Sequence, residues 1–256
     1  MPVTIKSANE IALMREAGRL LEIVHGEIAK KIVPGVSTIE LDRLAEKIIR
    51  GFGCTPNFLK YNGFPASICA SINDEVVHGI PSKKKILHEG DIISIDTGLI
   101  YKGYHSDAAR TYGVGEISQD ARKLMEVTEQ SFFEGMKVAK AGNHLFDISA
   151  AIGAYASKFG YGVVRDLVGH GIGTKLHEEP QIPNFAQKRR GLRLQAGMTL
   201  AIEPMINEGR SDVCWLDDDW TVVTDDGSLS AHYENTILIT DGEPEILTMD
   251  GEGYGI

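Results

Sequence analysis

The stretch IISIDTG, residues 92–98, decides how this chain is organised. It is an apolar run typical of a buried β-strand, and it carries the carboxylate of Asp96 near its end. An unpaired buried carboxylate loses roughly several kcal/mol of hydration, so Asp96 requires either a basic side chain or a metal ion as its partner. A second acid, Asp107, follows in HSDAAR (105–110). The rest of the chain must supply, or bind, the charge that compensates these acids.

The same pattern recurs in the second half of the chain. TLAIEPM (199–205) is another apolar run that ends on an acid, and its Glu203 lies 107 positions after Asp96. HYENT (232–236) repeats HSDAA, with Glu234 in the place of the second acid, at an offset of 127 positions. Four acids therefore occupy matching places in two halves of the chain.

The helices repeat at the same 107-residue offset. In the first half, the capping boxes SANE (7–10) and STIE (37–40) each open a pattern of apolar residues at helical spacing. Two further helical patterns follow in the second half. The predicted helices span about residues 8–32, 41–52, 118–139 and 145–159, and the predicted strands span about residues 68–72, 75–77, 92–97 and 106–114.

The repeat predicts one domain of the α+β class. Its period is too long for a solenoid of short units, and each half contains two helices followed by strands. We predict a single domain over residues 1–256, with halves at about 7–116 and 117–248. The longer offset of HYENT indicates an insertion within about residues 206–226, which contains WLDDDW.

The composition disfavours several classes of protein. The chain has 256 residues, 43% of them hydrophobic, and carries 26 Lys+Arg against 36 Asp+Glu, a net charge of -10. This balance disfavours nucleic-acid binding, which needs a basic surface. The chain has no run of 18 apolar residues and no signal peptide, so we expect neither a membrane span nor secretion. Three cysteines without CxxC spacing, Cys54, Cys69 and Cys214, favour a reducing cytoplasm.

Motifs for other kinds of catalysis are absent. The sequence contains no GxSxG elbow, no GxxxxGK[ST] phosphate loop and no HExxH zinc motif. The four repeated acids are not matched by a cluster of Lys or Arg, so their predicted partner is a multivalent cation. Carboxylates with one or two imidazoles suit Mn, Fe, Co or Zn. Acids that bridge two such ions, about 3.5–4 Å apart, occur in aminopeptidases.

Histidines supply the remaining candidates. His170 lies between glycines in GHGIG, where the backbone can approach closely, and we predict that it is the imidazole ligand. His78 in VVHGIP and His177 in LHEEP are either structural turn residues or groups that orient a substrate or stabilise an oxyanion. His105 and His232 each precede an acid by two residues and are predicted to orient the ligands. The histidines predicted to be solvated are His25, His88 and His144.

With these residues placed, the chain closely resembles type I methionine aminopeptidases. The matching stretches are SINDEVVHGIP, GDIISIDTG, HSDAAR, GHGIGTKLHEEPQIPN, GMTLAIEPM, WTVVTDDGSLSAHYENTILIT and EILT. They are spread over nearly the whole chain, and the last four in combination are highly specific.

The resemblance implies a pita-bread fold, in which two pseudo-symmetric halves hold a two-metal site at their junction. It implies that Asp107 and Glu234 bridge both ions, and that Glu203 is also the base or proton shuttle for the attacking water. It implies that His78 and His177 contact the scissile peptide. The implied metal ligands are Asp96, Asp107, His170, Glu203 and Glu234.

The resemblance also implies a substrate pocket and a second cation position. Asn73 and Ser230 match positions where many relatives bind a monovalent cation. The sequence departs from many relatives at Asn235, where they have His, and at Lys175-Leu176, and these departures bear on rate and pocket shape. Ordinary core packing would account for any one of the pocket residues. The pocket for the methionine side chain maps onto Tyr61, Phe64, Cys69, Met205 and Trp220.

The implied activity is removal of the initiator methionine from nascent proteins when the second residue is small. The expected enzyme is a cytoplasmic monomer of the short form, with two divalent ions among Co, Mn, Fe and Zn and with the ribosome as a further partner. We expect no N-terminal zinc-binding extension, no direct contact with nucleic acid and no contact with a membrane. One alternative is a proline-directed peptidase of the same fold, although such relatives generally carry an extra N-terminal domain. Another is a metal-free binding protein, although such relatives lose ligands.

Overall fold

The computed structural model describes residues 3–249 and contains helices and strands in both halves of that range. No helix in this range is both long enough and apolar enough to cross a membrane. The predicted α+β class is confirmed. The helices are α1 (Ala8–Ala29), α2 (Thr38–Gly51), α3 (Gln119–Met136) and α4 (Leu145–Ser157). The strands are β1 (Thr55–Pro56), β2 (Ile68–Ile72), β3 (Glu75–Val77), β4 (Ile92–Tyr101), β5 (Tyr104–Gly113), β6 (Gly162–Val163), β7 (Gly169–Gly171), β8 (Glu178–Ile182), β9 (Thr199–Ile202), β10 (Met205–Asn207), β11 (Val213–Trp215), β12 (Val222–Thr224), β13 (Ser230–His232), β14 (Glu234–Leu238) and β15 (Glu245–Ile246).

The first two helices begin at the predicted capping boxes. The Ser7 N–H donates to Glu10 Oε2 at 2.7 Å, and the Ser37 N–H donates to Glu40 Oε2 at 2.9 Å. These bonds occupy N–H groups that would otherwise lack a partner at a helix start. Because its cap is at Ser37, α2 begins at Thr38, earlier than the apolar pattern alone predicted.

The helices end one to three residues before the predicted positions. After α1, the N–H groups of Lys31 and Ile32 donate to the carbonyls of Ile28 at 2.8 Å and Ala29 at 3.2 Å. Bonds that reach three residues back form a tighter turn than an α-helix does. The apolar pattern continues through this turn, which is why it predicted a longer helix.

A nine-stranded sheet joins the two halves of the chain. Its strand order is β1-β4-β5-β14-β9-β7-β8, with β2 also paired to β4 and β15 to β14. In the antiparallel pair β4 and β5, Asp96 lies opposite Ala109, and Gly98 lies opposite Asp107. The halves meet where β5 pairs with β14, with Glu234 opposite Ala109. The acid-bearing strands therefore lie next to one another in the middle of the sheet.

Each half packs its two helices on its own strands. In the first half, α1 and α2 pack on the sheet through a buried cluster that includes Leu21 and Ile95. In the second half, α3 and α4 do so through a cluster that includes Phe132 and Leu200. The apolar faces that helical spacing predicted are the faces that these clusters bury.

The prediction that His25 is solvated is wrong. His25 is buried on α1, and its Nε2–H donates to the Ala108 carbonyl at 3.0 Å. Burial lowers the pKa of His25 to about 3, so the ring is neutral. The sequence could have predicted this burial, because His25 lies one turn before the apolar Ile28, and residues at that spacing share a helix face. His88 is exposed, and His144 is half-buried at the N-cap of α4.

The predicted insertion forms a hairpin that extends the second half toward the first. Its strand β11 pairs with β12, and β12 pairs with β3, with Val222 opposite Val77. This pairing places the ring of Trp220 near that of His78, with 6.3 Å between their centroids.

Candidate metal centre

Five side chains from the middle of the sheet converge on one place. The strands that carry them, β4, β5, β14, β9 and β7, are consecutive in the sheet, so residues far apart in the sequence become neighbours. All five were predicted as ligands. They are Asp96 on β4, Asp107 on β5, Glu234 at the start of β14, Glu203 directly after β9, and His170 on β7.

Three of these residues are close enough to share one ion. Asp107, His170 and Glu234 each place one ligand atom within 4.8 Å of the others. His170 Nε2 also lies 3.5 Å from Glu203 Oε1 and 3.9 Å from Asp107 Oδ2. Asp96 lies one strand away from Asp107, at the edge of the group.

Several carboxylate oxygens at this place are buried without a partner. Asp96 Oδ1, Asp107 Oδ1 and Glu234 Oε1 have no hydrogen-bond partner within the described part of the chain. Buried carboxylate oxygens that lack a donor carry a desolvation cost, which coordination to a cation would offset. Oxygen donors with one imidazole form a ligand set that divalent first-row metals accept. The residues present therefore fit a divalent metal ion.

Burial and repulsion between neighbours raise the pKa values of the four acids in the metal-free protein. Burial raises the pKa of Asp96 to about 8. Burial first, and then the charges of neighbouring acids, raise the pKa values of Asp107, Glu203 and Glu234 well above their ordinary values. Without a cation, these acids therefore hold protons at a pH where surface acids are ionised.

We expect the metal-free protein to lose stability as the pH rises from about 5 to about 8. A raised pKa means that the folded state holds the proton more tightly than the unfolded state does. This contribution to stability is complete below about pH 4, the ordinary pKa of an acid. For Asp96 it is lost as the pH rises through about 8. Melting temperatures of EDTA-treated protein across this range measure the effect.

Asp96→Asn is the matched control for that experiment. It removes the carboxyl whose pKa is about 8 and keeps a side chain of nearly the same shape. The decline of its melting temperature with pH should be shallower than that of the unaltered protein. Parallel curves for the two proteins would contradict the role given to Asp96.

His170 is held in a form that can bind a metal. Its Nδ1–H donates to the Gly171 carbonyl at 2.9 Å, since a carbonyl can only accept. In the neutral ring, Nε2 is then unprotonated and faces Asp107 and Glu203. Burial, with a smaller effect of His177, lowers the pKa of His170 to about 3, which keeps the ring neutral. A metal-binding histidine needs this arrangement, in which the second nitrogen is fixed by another partner.

Two further histidines lie near the cluster. The ring of His177 is 4.3 Å from that of His170 between centroids, and its Nδ1 lies 2.7 Å from the hydroxyl of Tyr61. His78 directly follows β3 with a φ of 59°, in the left-handed region. Burial lowers the pKa of His78 to about 4 and also lowers the pKa of His177. Both rings are therefore neutral groups that can donate one hydrogen bond at neutral pH.

Only one of the two predicted orienting histidines lies beside an acid of the cluster. His232 Nε2 is 3.8 Å from Glu203 Oε2. The backbone N–H of His105 donates to the Gly173 carbonyl at 2.8 Å. Burial lowers the pKa of His105 to about 4, and Glu178 opposes this shift. His105 therefore contacts the loop that carries His177. Its position two residues before an acid, which His232 shares, did not reveal this difference.

Four of the five predicted pocket residues pack together. Phe64 and Cys69 are buried in one apolar cluster, and Tyr61 and Trp220 pack against it. The rings of Phe64 and Trp220 meet edge to face, with 5.1 Å between centroids. Met205 is also buried, but it packs in a different cluster whose other buried members are valines. Two of these valines, Val77 and Val222, lie within two residues of His78 and Trp220 in the chain.

The two residues predicted at a monovalent cation position are neighbours. The Ser230 N–H donates to the Asn73 carbonyl at 2.8 Å. Asn73 has a φ of 56°, and its Oδ1 accepts from the Ile92 N–H at 3.0 Å. Ser230 Oγ donates to Asn207 Oδ1 at 2.9 Å. The structure thus brings the turn after β2 to the start of β13.

Two residues that were not predicted from the sequence hold the two central acids in place. Thr236 Oγ1 accepts from the N–H of Asp107 at 3.1 Å and donates to its carbonyl at 2.9 Å. Arg110 donates to the carbonyl of Glu234 and, at 2.6 Å, to Asn235 Oδ1. Both Thr236 and Arg110 lie inside the motifs that carry the acids. Their spacing gave no sign that each reaches the opposite half of the chain.

Two cavities differ in their relation to the cluster. A cavity of about 300 Å³ lies between α1 and α3, and none of the five predicted ligands lines it. A cavity of about 240 Å³ lies beside His170 and His177 and is also bordered by Glu178 and Gln181. The smaller cavity is therefore the one next to the groups that can do chemistry.

Comparison with known proteins agrees with this geometry. The chain matches the model of metallopeptidase family M24 over residues 12–241, a range that contains the whole cluster. The methionine aminopeptidase of Clostridium acetobutylicum is 55% identical over 247 residues, which cover 96% of this chain and 99% of that protein. The resemblance to type I methionine aminopeptidases is thereby confirmed.

Solved structures show the same fold. The crystal structure of a methionine aminopeptidase from Thermotoga maritima is 43% identical and has a TM-score of 0.95, covering 97% of this chain and 100% of that chain. An Xaa-Pro dipeptidase from Bacillus anthracis is 27% identical with a TM-score of 0.79, but this chain covers only 63% of it. The predicted pita-bread fold is confirmed. On the match of the family model and of relatives over nearly their full length, the chain belongs to metallopeptidase family M24.

Proposed function

We propose that this chain is an aminopeptidase that removes the N-terminal methionine of polypeptides with the help of divalent metal ions. The proposal depends on one observation, the convergence of four acids and one histidine, where buried oxygens of Asp96, Asp107 and Glu234 lack a hydrogen-bond partner among the described residues. The similarity of a methionine aminopeptidase over nearly its whole length supports the same reaction here. Membership in a metallopeptidase family supports the dependence on metal.

The five ligands are proposed to hold two divalent ions, of Co, Mn, Fe or Zn. In the sheet, the strands of Asp107 and Glu234 lie between the strand of Asp96 on one side and those of Glu203 and His170 on the other. This central position supports a role for Asp107 and Glu234 as the acids shared by both ions. Asp96 would be a further ligand of one ion, and Glu203 and His170 would be further ligands of the other.

The chain's own groups are proposed to hold the substrate and move the proton. When bound, the ions supply Lewis-acid polarisation of the scissile carbonyl and an activated water. Glu203 would take the proton from that water, because its carboxylate lies directly after β9 inside the cluster, 3.5 Å from His170 Nε2. His177 would donate a hydrogen bond to the oxyanion that develops, and His78 would contact the peptide beside it. The free amine of the substrate would lie among the acids.

The methionine side chain is proposed to bind against Tyr61, Phe64, Cys69 and Trp220. These residues pack as one apolar wall that offers aromatic rings and a thiol. Contacts between a thioether and an aromatic ring are favourable by roughly 0.3–1.5 kcal/mol, and methionine is flexible enough to use them. Met205 is also part of the proposed pocket, and it packs beside Val77 and Val222.

The setting of the enzyme is proposed from the sequence. We propose that residues 1–256 form a single catalytic domain with halves at about 7–116 and 117–248. The protein is proposed to be a cytoplasmic monomer that acts on nascent polypeptides, docks on the ribosome and contacts no membrane. The net charge of -10 disfavours direct binding of nucleic acid, and the three cysteines are free. A monovalent cation at Asn73 and Ser230 is also part of the proposal.

A proline-directed peptidase is the second candidate. The likeness to an Xaa-Pro dipeptidase favours it, but this chain spans less than two thirds of that protein. A metal-free binding protein of the same fold is the third candidate. The presence of all five ligand residues disfavours it.

Peptide cleavage with and without metal distinguishes these candidates. Release of methionine from a Met-Ala-peptide should stop after EDTA treatment and return with Mn, Co or Fe, while an X-Pro-peptide stays intact. Faster cleavage of the X-Pro-peptide would favour the second candidate. A protein that purifies without metal and cuts neither peptide would favour the third.

Peptides with a small second residue should be the best substrates. We expect Met-Gly, Met-Ala, Met-Ser and Met-Pro peptides to be cut faster than Met-Leu or Met-Lys peptides, because the second residue would lie near His78 and His177 with little room. A poorly fitting group typically changes kcat/KM by about 10–200-fold. A series of Met-X-peptides at fixed metal measures this. Equal kcat/KM for Met-Ala and Met-Leu would contradict the preference for a small second residue. Equal kcat/KM for Met-Ala and Leu-Ala would contradict the methionine pocket.

A further inference from the structure

Two neighbouring histidines of the site are fixed by chemically different partners. His170 Nδ1 faces the Gly171 carbonyl at 2.9 Å, whereas His177 Nδ1 faces the Tyr61 hydroxyl at 2.7 Å. The two rings are only 4.3 Å apart between centroids. In a neutral imidazole, the partner of one nitrogen decides whether the other nitrogen is a lone-pair acceptor or an N–H donor. The two rings can therefore present opposite chemistry to the same cluster.

The partners differ in what they can donate. A carbonyl only accepts, so His170 must donate from Nδ1 and present a bare Nε2. A phenol keeps its proton at neutral pH and can donate it. His177 Nδ1 is the ring nitrogen that the Tyr61 hydroxyl meets, at 2.7 Å, in the described part of the chain. When Tyr61 donates, Nδ1 of His177 is bare and its Nε2 carries the proton.

Tyr61 and His177 both lie in segments that other contacts hold in place. Tyr61 opens a short 3-10 turn, in which its carbonyl accepts from the Phe64 N–H at 2.9 Å. On the other side, the residue after His177 is Glu178, whose carboxylate lies 2.7 Å from Lys6 Nζ. The side chains of Lys6 and Glu178 are only 5% and 9% exposed, so this buried ion pair holds the loop that carries His177 in place. The hydroxyl and the imidazole are thus held at hydrogen-bond distance by the fold.

We propose that Tyr61 is a positioning residue that holds His177 in the Nε2–H tautomer. The proposal deepens the proposed function and rests on it for its consequence in catalysis. His177 then presents an N–H group to the reacting carbonyl and has no lone pair on Nε2 with which to bind metal. His170, fixed by a carbonyl, presents the lone pair that a ligand needs. Tyr61 therefore makes His177 a hydrogen-bond donor, whereas the Gly171 carbonyl makes His170 a metal ligand. Tyr61 also lines the pocket.

Nitrogen-15 spectra of the histidine rings test the tautomer without any measurement of activity. In EDTA-treated protein we expect His177 to show a protonated Nε2 and a bare Nδ1, with His177→Gln identifying its signals. Tyr61→Phe should shift these signals toward a mixture of tautomers, while His170 stays protonated at Nδ1 as the internal control. A protonated Nδ1 on His177, or a Tyr61→Phe spectrum identical to that of the unaltered protein, would overturn the proposal. Either outcome is independent of whether the protein cuts Met-peptides.

Kinetics of the metal-loaded protein supply the second test. Tyr61→Phe keeps the ring in the pocket, so KM for a Met-Ala-peptide should stay unchanged while kcat falls about 10–100-fold, the usual effect of losing a residue that orients a site group. Tyr61→Leu also removes the ring and should raise KM. Tyr61→Phe added to His177→Ala should cause no further loss, since both act through one group. An unchanged kcat in Tyr61→Phe, or additive losses in the double variant, would count against the proposal.

Discussion

Asp107→Asn is expected to lower kcat/KM for a Met-Ala-peptide by about 10²–10⁴-fold, more than Asp96→Asn does. Asp107 is buried in the middle of the sheet, with one ligand atom within 4.8 Å of those of His170 and Glu234. Removing one partner from a buried charge pair costs about 3–5 kcal/mol. Lost from metal binding, this amounts to about 10²–10⁴-fold in affinity, since about 1.4 kcal/mol is tenfold, and activity should fall with the bound metal. If Asp107 is shared by two ions, as proposed, its loss would also leave the two cations with less negative charge between them.

Two isosteric variants are the controls for this prediction. Glu234→Gln removes the other central acid and should cost as much as Asp107→Asn, whereas Asp96→Asn removes an acid at the edge of the cluster. Metal content and the melting temperature of each metal-free variant separate a loss of metal from a loss of fold. The backbone of Asp107 is held by Thr236, so the variant should fold. Full activity of Asp107→Asn after EDTA treatment and return of metal would refute the assignment.

His177→Ala is expected to lower kcat by about 10²–10³-fold, the usual loss for one oxyanion donor. The ring of His177 lies 4.3 Å from that of the proposed ligand His170, at the edge of the cluster. Because the oxyanion forms only during the reaction, kcat and kcat/KM should fall together, and KM should change little. Metal affinity should barely change, because the five proposed ligands remain in place.

His88→Ala is the matched control for that variant. It removes the same side chain from a position where 77% of it is exposed to solvent, so we expect no change in kcat. Metal content of both variants should equal that of the unaltered protein. If His177→Ala instead lost metal and kept a normal kcat per bound metal, His177 would be a ligand and its assignment as a donor would be wrong.

The sequence predicted the acid-bearing strands because the repeat compares one half of the chain with the other. Asp96 and Glu203 end matching apolar runs, and two halves with the same pattern of helices and strands fold in the same way. Equivalent positions then meet where the halves join, at β5 and β14. The burial of individual residues was harder to predict, as His25 shows. Its polarity suggested exposure, but its place on the inner face of α1 buries it.

The sequence by itself predicted the four helices, the acid-bearing strands, the α+β class and the candidate ligands. Those features follow from short-range patterns, such as caps, spacing of three to four residues and apolar runs, which residues near in the chain enforce on one another. Only the tertiary structure decided which groups hold the ligands in place. It joined Thr236 to Asp107, Arg110 to Glu234 and Tyr61 to His177. These contacts depend on strand order and on the packing of distant segments, and no local pattern records which segments will meet.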